Sequence, residues 1–508
     1  MRCKQQAQFP LLLLDEGILK ENSIKDSVYH TIRNAILDGR ISTGIKLPST
    51  RALAEMMSIS RNSVIAGFER LTDEGYLYSK QGSGTYVSAN IPDELVRTTN
   101  NPHATEHLEY TALNLNPMVN HLTRSWNQSR PNTNKHQMFN IGIGCVDQFP
   151  HELWGRLLGR VWRKSKHVIT HYNHPDGYSP LKQLLVDYVR STRGVHCSEK
   201  QIIIVNGTQQ AINLAARVLL KQGDKVWLDD PGYDSAKAIL MGQGAQIIPI
   251  PSNDEGMDIA YAAKYHPDAK LVYTAPSHQF PLGTTLSLAR RLALLDWAQQ
   301  NNAWIFEDDY NSEFRFLSKP IQALQGLDNH QRVIYAGTFS KMMYPGFRLG
   351  FLIVPEILSD AFTMMKYYSD SHCSYLEQAA LAQFIQEGHY ARHVRKIRKI
   401  CHERQNTFFT AINSYLPDIF DVQLTDSGIH TVCWVKQGYD IDIILQQCRL
   451  LGFGAQPLSR YCINSKNNNA ILFGYAAHAE SDITNSVKLL SERLESIYSR
   501  SLNTNLDE

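Results

Sequence analysis

The sequence contains no long hydrophobic run, no paired cysteine spacing and no strong excess of either charge. The leucine run at residues 11–14 is too short for the apolar part of a signal peptide, and Asp15 and Glu16 close it, so we expect neither secretion nor a membrane span. The eight cysteines form no C-x-x-C pair, which indicates neither a zinc site nor a disulfide framework and favours reduced thiols in a cytoplasmic protein. A net charge of +2 excludes a broadly polyanion-binding surface, so any contact with nucleic acid must be local.

The length of the chain predicts more than one domain. At 508 residues, 43% of them apolar and 20% charged, the chain exceeds what one hydrophobic core usually organises and has an ordinary globular composition. Residues 91–137 are rich in Asn, Thr, His and Pro and show no periodicity, which is typical of a linker, although part of this segment could pack as an arm on the second domain. We therefore predict a small domain over 20–90, a linker over 91–137 and a large domain over 138–498.

The small domain is predicted to contain three helices followed by a β-hairpin. Apolar residues recur every four positions from Ile24 to Ile36, Ser49 can cap a short helix in "RALAEMM", and Ser60 can cap a third in "RNSVIAGFERL". Two glycines within "LYSKQGSGTYV" then indicate a hairpin. This order is that of a winged helix-turn-helix, whose recognition helix presents its first residues to base edges, although a small helical domain with a solvated helix start would show the same pattern.

The stretches "LPSTR", "SRNSV" and "GSGTYV" resemble the winged helix-turn-helix of the GntR family of bacterial transcription regulators over residues 24–90. The resemblance implies contacts with double-stranded promoter DNA. Because the acidic and basic residues nearly balance here, one copy should bind weakly and a dimer on paired half-sites should bind better. The implied contacts comprise one arginine before the recognition helix, the first turn of that helix and the tip of the wing: Arg51, Arg61, Asn62, Ser63, Gln81 and Gly82.

In the large domain, short apolar runs alternate with helical segments, which predicts a mostly parallel sheet covered on both faces, followed by a small C-terminal α+β subdomain. Ligands of such sheets lie at the carboxyl ends of the strands. Chemistry-bearing residues gather at those ends: Gly207 and Thr208, Asp229, Asp230 and Tyr233, His278 and Gln279, Asp308 and Tyr310, and Ser340 and Lys341.

Together these residues match the needs of pyridoxal phosphate, which requires a lysine, an acid for its pyridine nitrogen, a phenol near its ring hydroxyl and an anion cradle. Asp308 and Tyr310 are two apart, so a strand end would point both to one face. Gly207 and Thr208 lie at a strand-to-helix turn, where free N–H groups favour a phosphate. Each feature alone has an ordinary structural explanation, since a lysine after a strand is usually a solvated charge; their combined order favours the cofactor.

The segment "GTFSKMMYPGFRLG" resembles the S-x-[ST]-K loop and the G-x-R-x-G motif of fold-type I, class I aminotransferases, and the resemblance covers residues 138–498. It implies that Lys341 forms the Schiff base and that Thr338, Ser340 and Arg348 hold the phosphate. It also implies that Asp308 pairs with the pyridine nitrogen. The remaining implied cofactor contacts are Tyr310 at the ring hydroxyl, Tyr233 stacked on the ring, and Tyr172 in "YNHPDGY", which would reach the phosphate of the neighbouring subunit of a dimer.

Two departures from that family leave the ligand contacts open. The aminotransferase N-P-x-G motif is replaced by "HQFPLG", so His278 and Gln279 are candidate ligand contacts without an assigned role. Arg460 in "PLSRYC" is the candidate anchor for a carboxylate, with a surface salt bridge or a purely structural arginine as the alternative. A second arginine often seen after "DPGY" is absent, because Ser235 and Ala236 occupy that stretch.

The two halves together, with "PSHQFPLG" and "EDDYNSEFR", resemble the MocR subfamily of GntR-type regulators. The resemblance implies a head-to-tail homodimer that associates with the bacterial nucleoid when bound to DNA. It also implies sensing of pyridoxal phosphate, an amino compound, or both, through an aldimine at Lys341, with little or no net turnover. Two alternatives stay open: an active transaminase with a fused DNA-binding domain, and a DNA-binding protein whose large domain only dimerises.

Overall fold

The computed structural model of the protein describes residues 24–89, 91, 137–164, 169–319, 321–466 and 468–504. The chain divides into two compact units, Met1–Asn114 and Leu115–Glu508. The domain limits at residues 90 and 138 stay predictions. Apart from its two end residues, the predicted linker over 91–137 lies outside the described residues, as do the first four residues of the predicted small domain and the leucine run at 11–14.

The first unit is the predicted three helices and hairpin. Ser49 and Ser60 cap the second and third helices: their Oγ atoms accept the backbone N–H of Ala52 at 3.2 Å and of Ser63 at 3.1 Å. Gly67 lets the first and third helices approach closely, since a Cβ at this position would lie 2.8 Å from Cγ1 of Val28. The elements are α1 (Ile24–Leu37), α2 (Thr50–Met56), α3 (Arg61–Asp73), β1 (Leu77–Lys80) and β2 (Gly84–Val87).

The second unit is built on a large, mostly parallel sheet, as predicted. Its strand order is β3-β10-β9-β8-β7-β4-β5-β6, with β10 antiparallel to both of its neighbours and β6 antiparallel to β5. Its strands are β3 (Ile202–Val205), β4 (Lys225–Asp230), β5 (Gln246–Asn253), β6 (Gly256–Met257), β7 (Leu271–Thr274), β8 (Trp304–Asp309), β9 (Val333–Thr338) and β10 (Gly350–Ile353). Alternate residues of β3 join different hydrophobic clusters, so the sheet is buried on both faces.

Helices cover the large sheet and continue into the C-terminal subdomain. They are α4 (His151–Lys164), α5 (Ser179–Arg193), α6 (Thr208–Leu219), α7 (Asp234–Gly242), α8 (Ile259–Tyr265), α9 (Leu288–Gln300), α10 (Ser359–Asp370), α11 (Tyr375–Gln386), α12 (His389–Tyr415), α13 (Ile441–Leu450) and α14 (Glu480–Thr504). Among the helices of the described ranges, none has both the length and the apolar character needed to cross a bilayer.

The C-terminal subdomain is the predicted α+β piece. Its antiparallel sheet has the order β11-β12-β14-β13, formed by β11 (Phe420–Val422), β12 (His430–Val435), β13 (Gln456–Pro457) and β14 (Ala470–Gly474). The loop that follows β13 hydrogen-bonds to the end of β4, because the N–H of Gly232 donates to the carbonyl of Tyr461 at 2.9 Å. The subdomain therefore closes one side of the edge at which the parallel strands end.

Candidate DNA-binding surface and ligand cavity

The start of α3 presents its polar side chains to solvent. Arg61 and Asn62 are exposed, and neither side chain has a hydrogen bond or ion pair among the contacts of the described part of the first unit. Ser63 is partly buried and its Oγ lies 2.9 Å from Oγ of Ser60, so this residue also belongs to the helix cap. Arg51 is exposed on α2. The first turn of α3 can therefore contact base edges with a long cation and an amide, which suit bidentate recognition.

The tip of the hairpin is also exposed. Lys80 pairs with Gly84 in the ladder, which leaves Gln81, Gly82 and Ser83 as the turn. Gly82 has φ +73°, a conformation that favours glycine. The hairpin thus provides a compact wing, and the residues at its tip lie in an exposed turn between β1 and β2.

A cavity of about 320 Å³ lies where the strands of the large sheet end and the C-terminal subdomain closes over them. Parallel strands end at a common edge, so residues far apart in the sequence meet there. Nine of the predicted ligand or cofactor residues line it: Thr208, Tyr233, Asp308, Tyr310, Thr338, Ser340, Lys341, Arg348 and Arg460.

Lys341 lies in this cavity, held by a segment from the beginning of the second unit. Its Nζ donates to the carbonyl of Gly142 at 2.8 Å. Gly144 of the same segment passes so close that a Cβ would lie 2.3 Å from the carbonyl oxygen of Lys341. Burial lowers the pKa of Lys341 from its ordinary value, and Arg348 acts in the same direction against the opposing effect of Asp308. The environment thus favours the neutral amine, the form that attacks a carbonyl carbon.

Asp308 is 4% exposed at the end of β8. Its Oδ2 accepts the hydroxyl of Tyr273 at 2.6 Å, whereas its Oδ1 has no hydrogen-bond partner among the described residues. Burial raises the pKa of Asp308 to about 7, assisted by Asp309 and opposed by the Tyr273 hydrogen bond and by Lys341. A nearby cationic nitrogen would restore the ionised form and would occupy the free oxygen.

One end of the cavity suits an anion. Gly207 is the residue before α6, with φ +92°, and a Cβ there would lie 3.4 Å from the guanidinium of Arg348. Thr208 and Gln209, the first residues of α6, line the cavity together with Ser340, whose hydroxyl has no partner within the described ranges. Helix-start N–H groups, a hydroxyl and a guanidinium together form a phosphate cradle.

The other end is closed by the C-terminal subdomain. Arg460 lines it, with one guanidinium nitrogen donating to Oε1 of Gln456 at 3.0 Å and with Nε left without a partner among described residues. Phe280 packs edge-on against Tyr461 with ring centroids 5.0 Å apart. His430 completes this wall, and burial lowers its pKa to about 4. A cation set in an aromatic wall can receive a carboxylate attached to an apolar or aromatic body.

Four of the predicted ligand or cofactor residues do not line the cavity: Gly207, which lies just before α6, and Tyr172, His278 and Gln279. Nδ1 of His278 lies 2.8 Å from Oγ of Ser427, and burial lowers the pKa of His278 to about 3. The Gln279 amide donates to the carbonyl of Pro231 at 2.7 Å, so both side chains brace loops behind the cavity wall. Tyr172 is 92% exposed in the single chain and stands outside the cavity.

Several cavity residues were missed by the sequence analysis. Gly142 is 199 residues from Lys341, and no local pattern connects the two. Tyr273 lies inside a continuous apolar strand, where nothing distinguishes it from a core residue until its hydroxyl reaches Asp308. The others are Ile141, Gln209, Asp234, Ser235, Phe280, Ile429, His430 and Tyr461.

The residues present fit pyridoxal phosphate. Three buried oxygens at the cavity lack a partner within the described chain: Oδ1 of Asp308, the hydroxyl of Tyr310 and Oγ of Ser340. The cofactor has a complementary set of groups, namely a pyridine nitrogen, a ring hydroxyl and a phosphate. The unpartnered oxygens and the buried lysine are therefore explained together by one ligand.

Comparison with known families assigns both units. Residues 24–87 match the model of bacterial regulatory proteins of the gntR family, and residues 138–449 match the model of aminotransferase class I and II. A crystal structure of Pyrococcus horikoshii kynurenine aminotransferase in complex with PMP is similar with a TM-score of 0.66 and 26% identity, over 77% of this chain and 97% of that one. The likeness to aminotransferases is thus one of fold and of sequence.

Transcription regulators match this chain over most of its length and most of their own. The probable rhizopine catabolism regulatory protein MocR of Rhizobium meliloti is 35% identical over 88% of this chain and 89% of its own length. The HTH-type transcriptional regulator TauR of Rhodobacter capsulatus is 31% identical over 77% of this chain and 80% of its own length. The chain belongs to the MocR subfamily of GntR-type transcription regulators, in which a winged helix-turn-helix is joined to a pyridoxal-phosphate-dependent domain of the aminotransferase fold.

Proposed function

We propose that this protein is a transcription regulator that binds promoter DNA through α3 and its wing and senses pyridoxal phosphate, an amino compound, or both, at Lys341. The observation that carries the proposal is the cavity in which Lys341, Asp308 and Arg348 meet, in a chain that also contains a complete winged helix-turn-helix. A cofactor site alone would suit an enzyme, and a helix-turn-helix alone would suit any repressor. Their presence in one chain favours a DNA-binding sensor.

The contacts with the cofactor follow from the unpartnered atoms. Asp308 would hold the pyridine nitrogen through Oδ1, and the hydroxyl of Tyr310 would contact the ring hydroxyl. The phosphate would lie at the start of α6 against Ser340 and Arg348, while Tyr233 would cover the ring. Thr338 sits beside this cradle, since its Oγ1 accepts the N–H of Ser340 at 3.2 Å.

When bound, pyridoxal phosphate supplies an aldehyde that condenses reversibly with primary amines. Lys341, whose pKa is lowered by burial, would compete with a dissolved amine for that aldehyde. Only a difference in affinity between two arrangements of the protein can convert this exchange into a change of DNA binding. A regulator therefore needs reversible exchange and gains nothing from releasing a product.

The partner arrangement and the effector belong to the same proposal. Arg460 would receive the carboxylate of an amino-acid effector at the subdomain end of the cavity. Tyr172, exposed in the single chain, would enter the cavity of a second copy, which requires a head-to-tail homodimer. The protein would act in the bacterial cytoplasm, at the nucleoid when it is bound to DNA.

The test measures DNA affinity with and without the lysine. We expect Lys341→Ala to abolish the change in affinity that amines produce on a DNA fragment from upstream of the gene, measured by fluorescence anisotropy. Borohydride, which makes the attachment of the cofactor to Lys341 permanent, should also abolish that change in the wild type. Lys488→Ala on the exposed face of α14 is the matched control and should respond as the wild type does. A DNA affinity that ignores Lys341→Ala and borohydride alike would eliminate the sensing role.

An active transaminase is the second candidate, favoured by the complete set of Lys341, Asp308 and Tyr310 in the cavity. Steady production of a keto acid at about 1 s⁻¹ or faster would support it. A single partial turnover that stops after one equivalent would support the regulator.

A further inference from the structure

A buried carboxylate behind the cavity holds the loop that carries Arg460 and Tyr461. Asp230 ends β4 and is 5% exposed. Its Oδ1 accepts the N–H of Ile463 at 2.7 Å, and its Oδ2 accepts those of Asn464 and Ser465 at 2.7 and 2.9 Å. A carboxylate removed from water is costly unless it is well hydrogen-bonded, and three backbone donors meet that need.

Cys462 is held by its N–H, which donates to the carbonyl of Ser459 at 3.2 Å, but little besides Asp230 fixes residues 463–465. This stretch has no regular structure, Ile463 is 39% exposed and Asn464 is also exposed, so apolar burial contributes little to its position. One further bond supports the same contact, since the N–H of Gly232 donates to the carbonyl of Tyr461 at 2.9 Å. All four hydrogen bonds connect the end of β4 to the loop that forms the effector end of the cavity.

The contact joins both sides of the cavity. Tyr233, three residues after Asp230, lines the side formed by the large sheet, whereas Arg460 and Tyr461 line the side formed by the C-terminal subdomain. Arg460 lies in the helical turn Leu458–Tyr461 and is oriented by Gln456, at 3.0 Å. Asp230 holds residues 463–465, which follow this turn. A shift of about 1 Å in such a loop is enough to weaken a charged contact strongly.

We propose that Asp230 is a positioning residue: its carboxylate clamps residues 463–465 to the end of β4 and thereby places Arg460 where it can receive the carboxylate of an amino-acid ligand. The inference rests on the proposed sensing of an amino compound. Asp230 touches neither the cofactor end of the cavity nor Lys341. Its loss should therefore affect recognition of the ligand's carboxylate and leave cofactor binding intact.

The test uses two amines that differ only by a carboxylate, L-alanine and ethylamine, titrated into the full-length protein loaded with pyridoxal phosphate and followed by cofactor absorbance. The wild type should prefer alanine. Asp230→Ala should reduce the ratio of the two affinities by about tenfold, with unchanged affinity for ethylamine and for the cofactor. Asp230→Asn keeps one acceptor oxygen, so its ratio of alanine to ethylamine affinity should lie between those of the wild type and Asp230→Ala.

Asp328→Ala is the matched control. Asp328 also accepts three backbone N–H groups, at 2.6 to 2.9 Å, but it lies just before the beginning of β9, at the opposite end of that strand from the cavity. An equal loss of alanine preference in Asp328→Ala would show a general effect on stability and overturn the inference. An unchanged alanine-to-ethylamine ratio in Asp230→Ala would overturn it as well.

Hydrogen exchange separates the clamp from the sensing role. The backbone amides of residues 463–465 should exchange faster in Asp230→Ala than in the wild type, whatever the effector is. A wild type that responds to neither amine would contradict the proposed sensing. The exchange measurement would still show whether Asp230 holds residues 463–465 in place. Unchanged exchange in residues 463–465 would reject the clamp.

Discussion

Lys341 and Asp308 show how burial changes what a side chain does. Burial moves the pKa of the lysine down and that of the carboxyl up to about 7, so each is displaced toward its neutral form. On a surface the same two residues would be ordinary ions. The unpartnered Oδ1 of Asp308 carries an energetic cost in the cofactor-free protein, and such a cost is common where a site is prepared for a ligand.

This cost predicts that Asp308→Asn stabilises the cofactor-free protein in a pH-dependent way. Because the folded-state pKa lies above the unfolded value of about 4, the folded protein binds more protons than the unfolded chain between about pH 4 and about pH 7. The destabilisation by Asp308 is absent below this window and complete above it. We expect Asp308→Asn to raise Tm by about 2 °C or more at pH 8, and by less at pH 5, in calorimetry.

The control for this experiment is Asp482→Asn on the exposed start of α14, which should leave Tm nearly unchanged. If Asp308→Asn raised Tm by the same amount at pH 5 and at pH 8, the destabilisation could not come from the buried carboxylate. The same variant should bind pyridoxal phosphate more weakly, since the amide cannot pair with a cationic pyridine nitrogen.

At the scale of helices and strands, the functional surfaces lie at the ends of these elements and not in their interiors. Ser49 and Ser60 begin two helices by accepting backbone N–H groups, and the second cap leaves Arg61 and Asn62 exposed on the first turn of α3. The parallel strands place their carboxyl ends along one edge. The exposed first turn of α3 and the cavity are thus both formed by residues at which helices or strands begin or end.

Gly67 provides a test at this scale. A methyl group here would lie 2.8 Å from Cγ1 of Val28, so Gly67→Ala should force α1 and α3 apart and cost about 1–3 kcal/mol. We expect weaker DNA binding by anisotropy and faster proteolysis of the first unit. Gly155→Ala is the control, because a Cβ at this helical position meets nothing within 4 Å and should be neutral or stabilising by about 1 kcal/mol. Equal effects of the two substitutions would contradict the packing argument.

At the scale of the whole molecule, one chain contains a DNA-binding unit and a cofactor-binding unit. A dimer would allow ligand binding in one unit to change the affinity of the other for DNA. Linkage requires that an amine which favours one arrangement of the dimer changes DNA affinity by the same factor as DNA changes the affinity for the amine. The exposed Tyr172 is the side chain through which the two copies would share a cavity.

A mixed dimer tests this sharing. When Lys341→Ala and Tyr172→Ala chains are co-expressed with different tags and purified as the mixed species, one cavity should have both Lys341 and a partner's intact Tyr172, and the other should have neither. We expect one tightly bound cofactor per mixed dimer, measured by absorbance after borohydride reduction. No tight site would mean that Tyr172 acts within its own subunit. Cofactor binding by the Tyr172→Ala homodimer that is as tight as in the wild type would mean that Tyr172 plays no part.

The sequence by itself determined the elements, the fold class and the membership of the family, because helix and strand periodicity, capping residues and strand-end motifs are all short-range patterns. For that reason Asp308 and Tyr310, and Ser340 and Lys341, could be placed at strand ends from the sequence, and all four line the cavity. Only the tertiary structure decided that Gly142 meets Lys341, that Tyr273 reaches Asp308, and that His278 and Gln279 lie behind the cavity wall.

The same holds for β10, which is inserted antiparallel between β3 and β9, and for Asp230, whose three donors lie 233 to 235 residues away. These contacts depend on which strands become neighbours and on how the C-terminal subdomain is placed on the sheet. Both are settled by burying the apolar faces of many elements at once, and no local pattern in the chain records the result.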